Sequence, residues 1–469
     1  MGLALRSAWT AALLLLAAMV VGGGGSLAPR AELQLQLAFA IIIIAAAALD
    51  MRYTGAPAAS ARLDRRVLLL AGLMLVLPVL QLLPLPPAIW QSLPGREREF
   101  TALALVGAEN SWMPWSETPS RTLASLLAML PPVLLLLLAA RLTRRGRSLL
   151  LVTIVAGCLL SVALGSLQLA GGAEGGWRLY EMTHLTWLTG FQANRNAQAD
   201  VLMAGLLALA AVYVAGPSGD GREEGDGRGW AVGAAVLAIL LLLGTILTGS
   251  RMGIALLLLA VPIAAAIAWQ GSADRARFPV PSKVALGLVA VGAIGFGLMQ
   301  LAPVQRVADR FLNDGDSRQA IWADTRVAIA EVWPAGSGMG SFEPIFAASE
   351  SLENVGPQYQ ARAHNDWLEF ALEAGIPGLV VLAAIVALLI WLALRGILAR
   401  LRSAADRVET AQLLAGSGIL LVIALHSLVD YPLRSMSLAC LAAVAAAMHF
   451  PVLTSYRPGG AVTPDRGSE

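Results

Sequence analysis

The chain has 469 residues, of which 57% are hydrophobic and only 14% charged, with a formal net charge of +2 and a mean hydropathy of +0.69. Soluble domains carry about 25% charged residues, so an ordinary soluble domain is excluded. A net charge this small gives no sign of a nucleic-acid partner.

Apolar runs that approach or exceed the ~20 residues needed to cross a bilayer recur along the chain. They are long and do not alternate, which predicts helices rather than strands. The expected fold class is an all-α polytopic membrane protein. The first apolar stretch follows Arg6 and resembles a secretory signal. More spans follow at once, so it reads as an uncleaved first helix. Cys158 and Cys440 both lie in apolar runs, as buried small hydrophobes rather than a disulfide or metal framework.

In chain order, spans are expected at roughly 9–28, 33–49, 67–85, 121–140, 148–170, 196–215, 230–248, 252–269, 283–302, 376–394, 411–428 and 433–450, about twelve in all. An even count puts both termini on one side. Lys283 is the only lysine, so arginine carries the orientation rule. Short basic loops follow the even-numbered spans: Arg62, Arg65 and Arg66; Arg141, Arg144, Arg145 and Arg147; Arg222 and Arg228; Arg275 and Arg277 with Lys283; Arg395, Arg400, Arg402 and Arg407. By the positive-inside rule these loops and both termini face the cytoplasm. The Gly-rich stretch 216–229 and the tail 457–469 read as flexible cytoplasmic segments.

The opposite face then carries loops at roughly 86–120 and 171–195, tight turns at 249–251 and 430–432, and a long segment at 303–366. That segment is too long for a bare connection and predicts a lid or site-bearing element. Apolar residues at helical spacing (Val307 and Phe311; Ile321, Trp322, Val327 and Ile329) suggest two short helices in it.

Polar groups collect on this face. Residues 362–378 are the most informative stretch. Asp366 with Glu369 three positions on reads as a capping box. Gly375 and Pro377 should stop or bend the helix before the apolar run 379–394. His364 would stand just before that helix, where a histidine can titrate near neutrality and take a proton from a hydroxyl. A solvated loop histidine is the plainer reading. Arg251 interrupts an apolar stretch running from Trp230 to Trp269. Interfacial snorkelling accounts for one such arginine. It accounts less well for Arg195, Arg251 and Arg318 all flanking polar turns on one side. Guanidinium forks match phosphate oxygens, so these arginines suit a diphosphate whose lipid tail lies in the bilayer. With that leaving group stabilised, only an acceptor hydroxyl needs activation, and one histidine base does that.

No acidic metal cluster stands out, and Asp314, Asp316 and Asp324 read as a solvated face. His184 reads as structural and His449 as incidental. His426, with Asp430 one turn on, reads as a buried polar pair. Gly336–Gly340 lacks the preceding strand of a phosphate loop, and reads as a turn that lets backbone pass close to a neighbour.

Taken in order, five stretches resemble the O-antigen ligase and polymerase superfamily of bacterial membrane glycosyltransferases. They are Asn194-Arg195-Asn196, Thr248-Gly249-Ser250-Arg251-Met252-Gly253, Ser317-Arg318-Gln319-Ala320-Ile321-Trp322, the stretch from Pro334 to Phe342, and His364-Asn365 with Gly375 beyond. His426-Ser427-Leu428-Val429-Asp430-Tyr431-Pro432-Leu433 resembles the family's closing segment. The resemblance spans roughly residues 190–440, and the first five spans are recognisable only by hydropathy.

The resemblance implies a GT-C-like, metal-independent enzyme with no cofactor and an active site facing the periplasm from the inner membrane. The donor would be an undecaprenyl-diphosphate-linked glycan. The acceptor would be lipid A-core for a ligase or another glycan for a polymerase. It further implies His364 as base and Arg195, Arg251 and Arg318 as diphosphate ligands. Asn194, Asn196, Ser250, Asn365, Gly375, His426 and Asp430 would be supporting residues. The expected organisation is N-terminal membrane helices over 1–190, a catalytic membrane domain over 191–450 and a flexible tail over 451–469. A protein O-oligosaccharyltransferase of the same superfamily and a polysaccharide flippase are the competing readings. A transporter would need midplane charges and internal repeats, and neither is evident.

Overall fold

A computed structural model describes residues 2–27, 29–54, 63–172, 175–181, 183–216, 224–270, 318–356, 360–402 and 406–452. The molecule is a helical bundle. Helices α1 (Gly2–Val21), α2 (Pro29–Thr54) and α3 (Arg65–Gln81) are followed by short α4 (Pro87–Trp90) and α5 (Glu97–Ala104), then α6 (Pro119–Ala128), α7 (Leu130–Ala140) and α8 (Arg144–Ala170). The second half comprises α9 (Arg195–Ala215), α10 (Glu224–Leu247), α11 (Arg251–Trp269), α12 (Arg318–Val332), α13 (Phe342–Ser349), α14 (Asp366–Arg402), α15 (Arg407–His426) and α16 (Met436–Ala447). The described strands are two-residue β1 (Pro84–Leu85) and β2 (Met113–Pro114), paired antiparallel with Leu85 opposite Met113.

Each predicted span except 283–302 falls on helix, one helix to a span save for 121–140, which is divided between α6 and α7. Residues 283–302 lie outside the described residues. Among the described residues, eight helical segments are long and apolar enough to cross a membrane, and Glu32–Ala46 and Met436–Ala447 are shorter apolar helices. The predicted short helix around Val307 and Phe311 also lies outside the described residues. The one around Ile321 and Trp322 is α12, and α13 follows it.

Helix α9 is the centre of the bundle, with 89% of its apolar window buried. It packs against α8, α10, α11 and α15. Small residues allow this, because apolar side chains gain little from leaving lipid and close backbone approach must supply the attraction. A Cβ on Gly205 would lie 2.6 Å from Cys158 Sγ, and one on Gly418 would lie 3.2 Å from Leu207. Both cysteines are free and buried. Two of the predicted basic loops meet at one end of the bundle: Arg144 pairs with Asp406, and Gln412 Nε2 donates to Arg144 O at 3.0 Å; Arg222, Arg275, Arg277 and Lys283 lie outside the described residues.

Helix α14 breaks where Gly375 and Pro377 require it. Gly375 has φ 57° and ψ −156°, a region open only to glycine. Pro377 brings no N–H to the Glu373 carbonyl. That carbonyl instead accepts from Gly338 N at 2.9 Å and Gln81 Nε2 at 3.0 Å. Leu372 O accepts from Ser337 N at 3.0 Å, and Ile376 N donates to Pro334 O at 2.9 Å. The Gly336–Gly340 turn is thus a backbone plug in the broken helix, a close approach of the kind its glycines predict.

The loop between α3 and α6 docks on the same plug. Glu117 N donates to Ser337 O at 2.9 Å, and Thr122 Oγ1 donates to Met339 O at 2.9 Å. Burial pushes the Glu117 carboxyl up to about 7, against the pull of Arg96.

Two consequences are measurable in detergent. Gly375→Ala places a Cβ only 2.3 Å from the Pro334 oxygen, well inside van der Waals contact, and should cost on the order of 3 kcal/mol. A Tm equal to wild type contradicts that account. For Glu117 the folded state holds the proton more tightly than the unfolded state, so the charged form costs stability as pH rises from the ordinary carboxylate range through about 7. Glu117→Gln should therefore raise the Tm at pH 8, by the equivalent of about 1–2 kcal/mol, and by less at pH 5. An equal shift at both pH values overturns this assignment.

Candidate active site

Three helices begin at one end of the bundle, opposite the Arg144–Asp406 end, and each start is built by a cap. Asn194 Oδ1 accepts from Asn196 N at 2.8 Å at the start of α9. Ser250 Oγ accepts from Gly253 N at 3.1 Å at the start of α11. Asn365 Oδ1 accepts from both Trp367 N and Leu368 N at 3.0 Å at the start of α14. These side chains satisfy N–H groups that a helix start leaves open. The positive ends of three helix dipoles face the same region.

The turn before α11 explains the Thr-Gly-Ser-Arg order. Gly249 takes φ 62°, and a Cβ there would lie 2.3 Å from the Trp187 ring. Ser250 caps the helix and Arg251 is its first residue. Arg195, the first residue of α9, donates from Nη1 to Gly249 O at 3.3 Å. Its guanidinium carbon lies 5.3 Å from the centroid of the Trp187 ring. The starts of α9 and α11 are therefore adjacent. Arg195 is buried, at 6% exposure, and Arg251 is half-buried.

Asp430 joins these starts to His364. It sits in the turn between α15 and α16 with its side chain 3% exposed. Its Oδ1 lies 3.2 Å from His364 Nδ1. Its Oδ2 accepts from Asn196 Nδ2 at 2.5 Å and from Asn194 Nδ2 at 3.5 Å. Burial raises the Asp430 carboxyl, but the His364 hydrogen bond and the charges of His426, His364 and Arg318 outweigh it and bring it down to about 2. Asp430 is thus a carboxylate at neutral pH. A carboxylate opposite Nδ1 favours the tautomer protonated there, which leaves the Nε2 lone pair free. The His364 side chain remains 31% exposed. Its backbone is left-handed, with φ 51°, and the Tyr431 ring packs edge-on at 4.9 Å. Arg318 donates from Nη1 to Val429 O at 2.5 Å, so it too stands beside the Asp430 turn.

Three expectations need correction. The capping box of Asp366 and Glu369 does not form, because Asn365 caps the helix one residue earlier. Asp366 is buried and accepts from Ser427 Oγ at 2.9 Å and Leu433 N at 3.3 Å. Glu369 Oε2 accepts from Ala363 N at 3.2 Å. His426 does not pair with Asp430. Its Nδ1 lies 2.6 Å from Asp200 Oδ1 of α9, with both side chains 1% exposed. Asp324 is no solvated residue either. It is buried and accepts from Asn354 Nδ2 at 2.7 Å and Ser351 Oγ at 3.2 Å. Asp314 and Asp316 lie outside the described residues. Gly375 is away from the His364–Asp430 pair, at the α14 break.

A buried charge cluster underlies the pair. Asp366, Glu369 and Glu373 share one helical face, and all meet Arg434, from the turn Pro432–Arg434. The distances are 2.8 Å to Glu373 Oε2, 3.4 Å to Glu369 Oε1 and 3.6 Å to Asp366 Oδ1. Arg362 adds a second guanidinium on Glu369 at 2.5 Å. Burial works against the Arg434 charge, and the three carboxylates outweigh it and raise its pKa. One local signal could have pointed here: an acidic pair at i, i+4 on an apolar helix demands a cation. Asp200 had a signal as well, as an ionisable residue inside an apolar span.

No curated protein matches the chain. Residues 236–383 match the family model described as O-antigen ligase, a stretch that holds Ser250, Arg251, Arg318, His364, Asn365 and Gly375, and over those residues the chain carries a domain of the O-antigen ligase and polymerase superfamily.

Proposed function

We propose that the chain transfers a glycan from undecaprenyl diphosphate to a sugar hydroxyl at the periplasmic face of the bacterial inner membrane, with lipid A-core as the acceptor. The observation that carries this reading is the His364–Asp430 pair, 3.2 Å apart, at the end of the bundle where α9, α11 and α14 begin. The arginine-bearing ends of α8, α14 and α15 lie at the opposite end, which supports a cytoplasmic side there and a periplasmic site by the positive-inside rule.

In the reaction, His364 Nε2 takes the proton of the acceptor hydroxyl. The hydroxyl oxygen forms a bond to the anomeric carbon of the donor sugar. The bond from that carbon to the diphosphate oxygen breaks, and its electron pair leaves with the lipid diphosphate. Asp430 stabilises the imidazolium that forms and fixes its ring. Arg251 and Arg318, both half-buried, meet the charge that develops on the diphosphate. Arg195 adds its field from beneath, and the starts of α9 and α11 offer N–H groups of the kind that bind phosphate. The step needs no redox partner or nucleotide.

His364→Ala should lower transfer by about 10²–10⁴-fold while leaving expression and donor binding intact. Normal transfer in a null background rejects the base assignment. The acceptor is tested by glycan analysis of a deletion strain. Undecorated lipid A-core with intact lipid-linked polymer is the expected result. Single-repeat products on the carrier would make the protein a polymerase instead, with the same roles for His364 and the arginines.

A further inference from the structure

The base and its carboxylate come from different stretches of chain, 362–373 and 426–434. His364 also holds a left-handed backbone, at φ 51°, a conformation that a residue with a Cβ rarely adopts unsupported. Something must hold both the register between the stretches and the conformation within one of them.

We infer that Arg434 is a positioning residue for the His364–Asp430 pair, acting through Glu369 and Asp366; the inference rests on the proposed role of His364 as base. The chain of contacts is short. Arg434 lies four residues after Asp430, and its guanidinium lies 3.4 Å from Glu369 Oε1 and 3.6 Å from Asp366 Oδ1. The other Glu369 oxygen holds the N–H of Ala363, immediately before His364, at 3.2 Å. The Ala363 carbonyl is held in turn by Trp322 Nε1 at 3.0 Å. Two residues after His364, Asp366 returns to the Asp430 stretch. Its N–H donates to Ser427 O at 3.0 Å and Asp430 O at 3.1 Å, and its Oδ2 accepts from Ser427 Oγ at 2.9 Å.

Arg434 therefore clamps both sides of His364 to the turn that carries Asp430. Its side chain is 14% exposed and already engaged with three carboxylates, so it is not a substrate ligand. Glu373 ties the clamp to the α14 break, because its Oε1 accepts from Phe342 N at 3.3 Å. Lysine cannot replace this arginine in full, because a single ammonium does not present the planar fork that spans several carboxylates.

The test reads release of polyprenyl diphosphate from the strain's own lipid-linked glycan, in membranes normalised for folded protein by size-exclusion chromatography. Arg434→Lys should lower kcat by about 10-fold and Arg434→Gln by about 10²-fold, the scale of a base displaced by about 1 Å. The KM for the lipid-linked glycan should stay within about twofold, since the diphosphate ligands are elsewhere. Glu369→Gln removes the anion between Arg434 and Ala363 N–H while keeping its shape, and should reproduce the loss in kcat alone. It decides the matter if the Arg434 variants do not accumulate as folded protein. In a His364→Ala background neither change should lower the residual rate further, because the positioned base is gone. An equal fold-loss in that background, or a normal kcat for Glu369→Gln, overturns the positioning role. If His364→Ala alone keeps the full rate, the base assignment fails first. If His364→Ala is inactive and both positioning variants are fully active, only the inference about Arg434 fails.

Discussion

A buried carboxylate must find donors, and Asp430 finds them on stretches of chain that lie far apart in sequence. Leaving such a charge without partners costs several kcal/mol. Asn194 and Asn196 come from the start of α9 and His364 from the start of α14. Any arrangement that withdraws one of these donors exposes the carboxylate to its full desolvation cost. The convergence of α9, α14 and the α15–α16 turn is therefore one electrostatic requirement met three times. Because His364 and Asp430 are bonded, the same requirement fixes the histidine tautomer.

The neighbouring polar pairs follow the same logic at greater depth. His426 and Asp200 are each 1% exposed and bonded to one another at 2.6 Å. Their pairing pins the end of α15 to the central helix α9, about one turn below the Asp430 contact. The apolar packing around them uses small residues, which let α9 approach its neighbours closely. Polar pairs set the rotation of α15 against α9, and the small-residue faces set the distance. Charge is concentrated at the two ends of the bundle, where water or a lipid head group can meet it, and the apolar middle needs only van der Waals contact.

Much of this was legible locally and some was not. Span positions follow from run length, because a helix that crosses lipid satisfies its backbone internally and needs an apolar surface throughout. The break at Gly375 followed from a glycine and a proline two residues apart, and the close approach at Gly336–Gly340 from three glycines in five residues. Partner choice was another matter. Asp366 and Glu369 have the spacing of a capping box, yet Asn365 is the better cap and sits one residue earlier, so both acids are free to turn inward. His426 and Asp430 are one turn apart, yet the helix ends between them, and Asp200 lies 226 positions away. Local spacing carries no information about that distance. The turns of Arg195 and Arg251 were legible as a pair because each arginine follows a helix cap, and caps are written in adjacent residues.

The break in α14 resolves a conflict written into its composition. Residues 366–374 carry three acids, Asp366, Glu369 and Glu373, whereas residues 376–394 carry none. A straight helix would hold both parts on one axis, and its acidic face would follow the apolar run toward the hydrocarbon. Charged side chains there cost at least about 2.5–3.5 kcal/mol each at the bilayer centre. Breaking the helix at Gly375 releases the first part to turn its acids onto Arg434 and Arg362, and leaves the second part free to be wholly apolar. The break opens carbonyls at Leu372 and Glu373, and the Gly336–Gly340 turn and Gln81 supply their donors. That turn is in consequence tied to the helix carrying the His364 cap, and so is the 82–118 loop docked upon it. The backbone repair that lets α14 leave the apolar environment is also what fastens the segments around the site to the bundle.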